Sequence, residues 1–245
     1  MSKELTFAPQ KNKDAPRQLD DATMTADLNT EASSLIETRR DYTANTLRRD
    51  DLAGDPVSQF TQWLKDAREQ KILDATAMTL STSDSTGQPH SRVVLLKHFD
   101  SDGFVWYTYQ ESDKARQLAQ NPKAALLFYW CALERQVRIE GTVEKLDPAN
   151  ADEYFYSRPE GSRFSAAASV QSSPVDNRDV LAARVQELHA KHPDGNVPRP
   201  DAWGGYRIKP HRFEFWQGRA DRLHDRFVFE QSAKATDWQT TRISP

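Results

Sequence analysis

The sequence has little of what marks several common classes of protein. Its single cysteine, Cys131, excludes an internal disulfide framework. No apolar run reaches the roughly 18 residues that a membrane-spanning helix needs, so no such helix is predicted. The formal net charge of −3 provides no global basic field, and the sequence therefore predicts binding to neither nucleic acid nor membranes. Any binding of anions must come from a local arrangement of cationic side chains.

Several catalytic signatures are missing as well. The six histidines are scattered, and neither HExxH nor paired cysteines occur, so no metal site is predicted. The absence of GxSxG argues against a serine hydrolase, and the absence of GxGxxG argues against a Rossmann fold. The first residues have no apolar signal core and are too acidic for a transit peptide, which favours a cytoplasmic protein.

The polar residues gather at the start of the chain. Residues 1–33 show no apolar periodicity and are predicted to be disordered or loosely attached, whereas 34–245 are predicted to form a single domain. Short β-rich runs between turns predict a mainly β fold with flanking helices (α+β), an antiparallel barrel or sandwich. Strands are predicted over 76–82, 90–99, 104–109, 124–130, 136–146, 203–208, 212–217, 226–231 and 238–243. Helices are predicted around 60–67 and over 112–120, 148–157 and 177–192, and a loop is predicted over 161–173.

Two of these elements carry specific expectations about burial. The apolar run Val93–Leu96 predicts a buried strand. Cys131 follows the apolar strand 124–130, which favours a small buried residue over a nucleophile.

Cationic side chains bracket the strand that runs from Arg92 to Lys97. Such a pair suits phosphate binding at the rim of a sheet, although charged residues are also common at strand ends. Strict alternation places positions five apart on opposite faces of a strand. A site shared by Arg92 and Lys97 therefore requires a bulge or a distorted strand end.

A second group of polar side chains lies around the predicted helix 148–157. Tyr154 and Arg158 are spaced i, i+4 and point the same way, and Ser162 follows just beyond the helix. A phenol, a guanidinium and a hydroxyl that converge would make a phosphate clamp. The alternative is a solvated helix face.

The stretch EFWQGRADRLHDR, residues 214–226, concentrates three arginines, a histidine and a tryptophan. If 222–226 is extended, Arg222, His224 and Arg226 share one face, which would suit an anionic ligand. The alternative is a charged, solvated strand edge. Trp203 and Trp216 offer flat surfaces, although core packing is the favoured interpretation of both, while Gln136, Gln171 and Ser172 offer polar groups.

Together these segments resemble the pyridoxine (pyridoxamine) 5′-phosphate oxidase family, whose members are flavin enzymes with an antiparallel split β-barrel. The resemblance rests on an ordered set of motifs that runs from about residue 35 to the C-terminus, and RLHDR after EFWQG is its most diagnostic element. The motifs are Arg39–Tyr42 (RRDY), Arg92–Lys97 (RVVLLK), Trp106–Thr108 (WYT), Leu133–Val137 (LERQV), Tyr154–Pro159 (YFYSRP), Gln171–Ser172, Trp203–Tyr206 (WGGY), Glu214–Gly218 (EFWQG) and Arg222–Arg226 (RLHDR).

The resemblance implies a homodimer with FMN bound at the subunit interface. It implies oxidation of pyridoxine 5′-phosphate and pyridoxamine 5′-phosphate to pyridoxal 5′-phosphate with dioxygen as acceptor, which releases hydrogen peroxide, and ammonia from the amine. The implied FMN contacts are Arg92, Val93, Val94, Leu95, Leu96, Lys97, Tyr107, Thr108, Lys114, Gln136, Gln171, Ser172, Trp216 and Arg226. The implied substrate contacts are Lys97, Tyr154, Arg158, Ser162, Arg222 and His224, of which Arg222 and His224 are the implied catalytic residues.

The sequence leaves the role of one segment, the effect of two departures from the family pattern and two alternative functions open. Arg39, Arg40, Asp41 and Tyr42 are expected either near the active site or a second ligand site, or on a plain surface helix. The chain departs from the family pattern at Asp113, where a basic residue is usual, and over 163–168. An FMN reductase acting on another substrate, and a non-catalytic protein that stores FMN or pyridoxal phosphate, are the alternative functions.

Overall fold

The computed structural model describes residues 40–231 and 237–245. The expectations for residues 1–33 and for Arg39 therefore lie outside the described residues. Within these ranges nine strands pair into one antiparallel sheet. The strands are β1 (Ala77–Ser83), β2 (Pro89–Leu95), β3 (His98–Asp100), β4 (Gly103–Tyr109), β5 (Lys123–Trp130), β6 (Arg135–Lys145), β7 (Trp203–Gln217), β8 (Asp225–Gln231) and β9 (Trp238–Arg242). The helices are α1 (Pro56–Glu69), α2 (Asp113–Gln120), α3 (Pro148–Ser157), α4 (Glu160–Ala168) and α5 (Arg178–Lys191).

The sheet is organised around its longest strand. The strand order is β2-β1-β5-β6-β7-β4-β3, and the second half of β7 also pairs with β8, which pairs with β9. Along one edge, β7 pairs with β6 over most of its length. Along the other edge, its first half (203–208) pairs with β4 and its second half (212–217) pairs with β8. The sheet thereby curls into a half-barrel, and the predicted mainly β fold with flanking helices is confirmed.

Strand β7 joins two segments that were predicted as separate strands, 203–208 and 212–217. The strand continues through Pro210, because this residue lies where the register between β6 and β7 shifts at Glu140/Gly141. Proline is tolerated at such a bulge, where a ladder hydrogen bond is missing in any case. The continuous strand carries residues from Trp203 at one end to Trp216 at the other.

The helices begin at the residues that the sequence indicates. Asp55 accepts hydrogen bonds from the backbone N–H groups of Val57 and Ser58 at the start of α1. Asp147 accepts one from Ala149 at the start of α3, where Pro148 occupies the first helical position. No helix in the described part of the chain is both long enough and apolar enough to cross a membrane.

Helix α1 covers the main core. The ring of Phe60 lies 5.0 Å from Phe99, 4.9 Å from Phe104 and 4.9 Å from Phe128, centroid to centroid. A second apolar cluster is built by α3 and α4 around Phe155, Phe164 and Trp203. This second cluster holds two helices against the start of β7.

Three local predictions are wrong. Residues 160–168 form α4 instead of a loop, because burial of Phe164 and Ala168 in the second cluster outweighs the poor helix propensity of Gly161 and the serines. Cys131 lies exposed in a short 3-10 turn after β5 instead of being buried. The predicted strand 90–99 is split into β2 and β3.

The first of these two strands is also not buried. Strand β2 is an edge strand that pairs only with β1 among the described strands. The side chains of Val93 and Leu95 are 67% and 41% exposed. Exposed apolar side chains on a sheet edge are typical of surfaces that another molecule covers.

Candidate active site

An open cavity of about 1040 Å³ lies where β2, β4, α3 and α4 meet. This volume is at the upper end of the roughly 300–1,000 Å³ range of small-molecule and cofactor sites. The cavity brings together many of the residues predicted from the sequence: Arg92, Val93, Val94, Leu95, Lys97, Tyr107, Thr108, Lys114, Tyr154, Arg158, Ser162 and Gln171.

The break between β2 and β3 explains how Arg92 and Lys97 reach the same cavity. Strand β2 ends at Leu95 and β3 begins at His98, so strict alternation stops before Lys97. The side chain of Leu96 is buried in the main core and does not line the cavity. The strand distortion that a shared site requires is therefore present.

Neutral oxygen atoms accept the hydrogen bonds of the Arg92 guanidinium. Its Nη1 donates to the hydroxyl of Thr82 at 2.6 Å and to the carbonyl of Leu80 at 3.1 Å. Its Nη2 donates to Oε1 of Gln117 at 2.9 Å. Burial lowers the pKa of Arg92 from its ordinary value, while Asp113 acts in the opposite direction.

Lys114 projects from the first turn of α2 and is almost completely buried. Its Nζ donates to Gln171 Oε1 at 2.6 Å, to Thr108 Oγ1 at 3.2 Å and to Ser112 Oγ at 3.3 Å. Burial, and secondarily the charge of Arg92, lower the pKa of Lys114 to about 8. A bound anion would compensate both effects, since it favours the charged ammonium.

Asp113 departs from the family pattern, and its carboxylate turns toward the side chain of Arg116 on the same helix. Ser172 lies beside this turn, where its hydroxyl accepts a hydrogen bond of 3.2 Å from the backbone N–H of Asp113. Ser172 itself does not line the cavity.

An aromatic wall forms one side of the cavity. The ring of Tyr107 stacks on Tyr154 at 4.1 Å and on Trp203 at 5.5 Å, with interplanar angles of 20° and 7°. The guanidinium of Arg158 lies over the Trp203 ring at 5.0 Å. Arg158 Nη1 is buried without a hydrogen-bond partner among the described residues, and burial lowers the pKa of this guanidinium. A buried, unpaired donor that lines a cavity marks a position for an acceptor on a ligand.

Helix α4 and the residue after it contribute two cavity residues that the sequence reasoning missed. Ser165 and Ser169 line the cavity beside the predicted Ser162, while Phe164 and Ala168 pack into the second apolar cluster. The serines are spaced i, i+3, i+7, so they share one face of the helix. This spacing, together with Phe164 and Ala168 at i and i+4, is the signal that could have identified the helix.

The remaining predicted residues lie on a second surface, here called the Trp216 patch and defined by Gln136, Trp216, Arg222, His224 and Arg226. None of these residues lines the cavity. Trp216 lies between Gln136 on β6 and Arg226 on β8 in the register of the sheet. Its ring centroid is 4.7 Å from that of His224, and Tyr42 packs against both rings at 5.6 Å and 5.4 Å.

The loop before β8 differs from the extended segment considered in the sequence analysis. Residues 220–222 form a 3-10 turn in which Asp221 and Arg222 have φ values of 56° and 63°, and strand β8 begins only at Asp225. The alternation of Arg222, His224 and Arg226 on one strand face is therefore wrong. The charge of Arg222 nevertheless acts on the His224 ring.

The imidazole of His224 has a defined tautomer. Its Nδ1 accepts a hydrogen bond of 3.1 Å from the backbone N–H of Arg219, so the proton of the neutral ring lies on Nε2. Burial, followed by the charges of Arg222 and Arg226, lowers the pKa of His224 below its ordinary value of 6.5. The lowered pKa favours the neutral ring, which has one N–H to donate.

Arg226 is anchored within the patch. Its Nε and Nη2 donate to Oε1 of buried Glu214 at 2.9 Å and 2.6 Å, and its Nη1 donates to the carbonyl of Ser244 at 2.8 Å. The other oxygen of Glu214 accepts from Arg138 at 2.7 Å. The guanidinium is thus fixed by the sheet and by the C-terminal residues.

The expected second ligand site is described only in part, since Arg39 lies outside the described residues. Of its other members, Tyr42 belongs structurally beside the Trp216 patch. No group of three or more histidine, cysteine, aspartate or glutamate residues is placed to hold a metal ion in the ranges 40–231 and 237–245.

Comparison with protein families gives two matches that together span most of the described chain. Residues 64–192 match the family described as pyridoxamine 5′-phosphate oxidase. Residues 203–245 match the pyridoxine 5′-phosphate oxidase C-terminal dimerisation region. The first match includes the cavity residues from Arg92 to Gln171, and the second includes Trp216, Arg222, His224 and Arg226.

Curated relatives are similar over nearly their whole length. A pyridoxine/pyridoxamine 5′-phosphate oxidase 1 of Hydrogenovibrio crunogenus is 51% identical over 208 residues, which cover 84% of this chain and 96% of the relative. A pyridoxine/pyridoxamine 5′-phosphate oxidase of Cupriavidus metallidurans is 49% identical over 213 residues, covering 87% and 100%.

Solved structures show the same fold. PhzG from Burkholderia lata, in complex with tetrahydrophenazine-1-carboxylic acid, superimposes with a TM-score of 0.77 at 32% identity and covers 82% of this chain and 98% of its own. A pyridoxamine 5′-phosphate oxidase-related, FMN-binding protein of Nostoc punctiforme gives a TM-score of 0.63 at 15% identity, covering 79% and 100%. The predicted split-barrel fold is confirmed by these neighbours.

Proposed function

Because the chain belongs to the pyridoxamine 5′-phosphate oxidase family of flavin-dependent oxidoreductases, we propose that it oxidises pyridoxine 5′-phosphate and pyridoxamine 5′-phosphate to pyridoxal 5′-phosphate with FMN as cofactor. The observation that carries this proposal is the composition of the cavity. It combines the cations Arg92 and Lys114 with a separate set of groups that are suited to bind a phosphate, Lys97, Tyr154, Arg158 and Ser162. FMN and a phosphorylated vitamer each carry one phosphate, so this pair of ligands would use both sets of residues.

The donor set of the cavity fits this pair of ligands. Arg92 and Lys114 are positively charged and are bound by neutral oxygens, so their charge remains available to a phosphate. Arg158 has a buried N–H group that lacks a partner within the described residues. The adjacent rings of Tyr107, Tyr154 and Trp203 supply flat apolar area next to these cations.

Bound FMN would supply the redox chemistry, in which it accepts a hydride equivalent from the 4′ carbon of the vitamer and passes the electrons to dioxygen, giving hydrogen peroxide. The chain supplies orientation. Lys97, Tyr154, Arg158 and Ser162 would hold the substrate phosphate, which is remote from the reacting carbon. The binding energy of these four phosphate contacts would align the 4′ carbon, although none of the four residues would touch that carbon.

The second part of the proposal is that a second copy of the chain completes the site. Arg222 and His224 do not line the cavity of their own chain, and they lie in the part that matches a dimerisation region. The exposed Val93 and Leu95 on the rim of the cavity offer apolar area for a partner to cover. In a homodimer the Trp216 patch of one chain would face the cavity of the other.

In such a site His224 would act as a donor. Its Nδ1 is occupied by the N–H of Arg219, so the neutral ring would present Nε2–H to the substrate ring oxygen. Arg222 would stabilise negative charge on the substrate and would keep the imidazole neutral through electrostatic repulsion.

Two alternatives make different demands on the residues. An FMN reductase for another substrate needs the flavin contacts but not Tyr154, Arg158 and Ser162 as a set, and PhzG shows that a structural relative can be found with a phenazine-type carboxylic acid. A storage protein for FMN or pyridoxal phosphate needs neither Arg222 nor His224.

The test is the visible spectrum of the purified protein, recorded before and after anaerobic addition of pyridoxine 5′-phosphate. We expect a flavin absorbance that bleaches with the substrate and returns on admission of air, with stoichiometric hydrogen peroxide. A flavin spectrum that neither phosphorylated vitamer bleaches would contradict the oxidase function and support one of the alternatives.

A further inference from the structure

Two of the cavity's cationic side chains, Arg92 and Lys114, are held by the same arrangement of side chains. In each case a glutamine Oε1 accepts hydrogen bonds both from a threonine hydroxyl and from the cation, and the cation also donates to that hydroxyl. Arg92 is held in this way by Thr82 and Gln117. Lys114 is held in this way by Thr108 and Gln171.

The arrangement around Arg92 uses residues outside the cavity lining and outside the predicted site. Thr82 on β1 and Gln117 on α2 are only 3% and 8% exposed. The Thr82 hydroxyl donates to Gln117 Oε1 at 2.6 Å and accepts from Arg92 Nη1 at 2.6 Å, and Gln117 Oε1 also accepts from Arg92 Nη2 at 2.9 Å. The three hydrogen bonds close a ring that ties the guanidinium to both the sheet and α2.

This ring leaves a defined part of the guanidinium for a ligand. Thr82 Oγ1 and Gln117 Oε1 occupy the edge formed by Nη1 and Nη2, and Nη1 also donates to the carbonyls of Leu80 at 3.1 Å and His90 at 3.4 Å. The Nε–H group and one Nη2–H make no hydrogen bond within the described residues. These two groups form the side edge of the guanidinium, which is the edge that binds two oxygens of one oxyanion.

The hydrogen-bonded ring of Arg92, Thr82 and Gln117 leaves the positive charge of Arg92 uncompensated. Two adjacent oxygens on one edge of an arginine are the usual position of a carboxylate, but here both oxygens are neutral. In the described part of the chain, neither Arg92 nor Lys114 has a carboxylate within salt-bridge distance, because the nearby carboxylate of Asp113 pairs with Arg116. A carboxylate at Gln117 would orient Arg92 equally well but would cancel its charge.

We propose that Thr82 and Gln117 are positioning residues that orient Arg92 toward the phosphate of the flavin while leaving its charge intact. The inference deepens the proposed function, since it rests on FMN binding in this cavity. It assigns to two buried neutral residues a part of the selectivity for FMN over riboflavin, which differs from FMN by lacking the phosphate.

The test compares dissociation constants of FMN and riboflavin for the flavin-free full-length protein, measured by quenching of flavin fluorescence. Gln117→Glu keeps the oxygen acceptor and adds a charge, whereas Thr82→Val keeps the shape and removes the hydroxyl. For both variants we expect FMN affinity to fall about tenfold or more while riboflavin affinity changes by less than about twofold. Thr82→Ser, which retains a hydroxyl, should restore FMN binding to within about threefold of the unsubstituted protein.

The matched control is Gln120→Glu, the same chemical change one helical turn away at an exposed position of α2. Solvent screens this charge, so FMN affinity should stay within about twofold. A loss of FMN and riboflavin affinity by equal factors would overturn the inference, since it would show that the ring only supports the scaffold. Unchanged FMN affinity in Gln117→Glu would overturn it as well.

These results are separable from the fate of the oxidase function. If the protein binds FMN but oxidises neither vitamer, the affinity ratios still decide the inference. If it binds no flavin, binding of inorganic phosphate, followed by ³¹P line broadening, takes the place of FMN. Phosphate binding that weakens in Gln117→Glu and not in Gln120→Glu would then support the positioning role, and equal binding by all three proteins would contradict it.

Discussion

The cavity and the Trp216 patch differ in how much of a site a single chain provides. The cavity is largely preformed, because Arg92 and Lys114 are fixed by hydrogen bonds and its aromatic wall is stacked. The Trp216 patch also fixes Arg226 and His224, but Arg222 remains exposed on a turn and the patch encloses no cavity of comparable size in the described chain. This difference is consistent with our proposal that the cavity binds the ligands and that the patch of one chain covers the cavity of another.

The largest expected effect comes from removing one arginine from either surface. Arg158→Ala and Arg222→Ala should each lower turnover of pyridoxine 5′-phosphate about tenfold to a hundredfold, because each removes one charge-assisted hydrogen bond worth about 1.5–3 kcal/mol. FMN should stay bound in both. Steady-state kinetics and the flavin content of the purified variants measure the two quantities.

An exposed arginine of α5 provides the control for these substitutions. Arg184→Ala removes the same side chain from a helix with no buried residue, and its kinetic constants should match those of the unsubstituted protein. Normal constants in both Arg158→Ala and Arg222→Ala would show that the residue roles proposed for the two surfaces are wrong.

A smaller effect, confined to the cavity, is expected from raising the pH. The pKa of Lys114 in the ligand-free protein is lowered to about 8, and a bound phosphate favours the ammonium. Above this pH, FMN binding must take up a proton, so FMN affinity should fall with a limiting slope of about tenfold per pH unit. Fluorescence titrations of FMN binding from about pH 7 to about pH 9 measure this slope. Because the pKa of Lys114 in the ligand-free protein is about 8, the affinity should start to fall near pH 8.

Riboflavin and Lys114→Arg are the controls for this pH dependence. Riboflavin lacks the phosphate, and an arginine keeps its charge over this range, so both titrations should be flat. An equal slope for riboflavin would assign the pH dependence to a group other than Lys114.

The smallest effect concerns the patch. The pKa of His224 is lowered below 6.5, so the neutral imidazole persists down to mildly acidic pH and activity should fall only below that value. Arg222→Ala removes a repulsive charge and should move the acid limb of kcat/KM upward by less than about one pH unit. The acid limb can be measured on the residual activity of Arg222→Ala. If the limb lies at the same pH as in the unsubstituted protein, protonation of His224 does not control it.

Sequence reasoning identified the cavity residues better than it identified the geometry of the patch. Tyr154 and Arg158 both line the cavity, as their i, i+4 spacing suggests, because Asp147 and Pro148 define the start of α3 and Arg158 caps its C-terminal end. Arg92 and Lys97 share the cavity through a strand break that the sequence requires but does not locate.

The errors come from tertiary contacts that overrule local preference. Helix α4 exists because Phe164 and Ala168 are buried against α3 and Trp203, a contact that connects distant parts of the chain. The extended conformation of 222–226 fails because Asp221 and Arg222 adopt positive φ, which is uncommon for any residue other than glycine. Val93 and Leu95 appear as core residues in an apolar run, although they lie on an edge strand.

The dimeric site can be tested by mixing defective chains. Arg158→Ala disables the cavity and Arg222→Ala disables the patch, so in a mixed dimer one site carries both defects and the other carries neither. As a control, Arg158→Ala mixed with Lys97→Ala combines two cavity defects, and no mixed dimer then contains an intact site.

The decisive measurement is the oxidase activity of Arg158→Ala and Arg222→Ala chains that are unfolded together in equal amounts and refolded. If the cavity of one chain works with the patch of another, random pairing should restore about a quarter of the activity of the unsubstituted protein, well above either variant alone. Activity that stays at the average of the two separate variants would contradict a site shared between two chains.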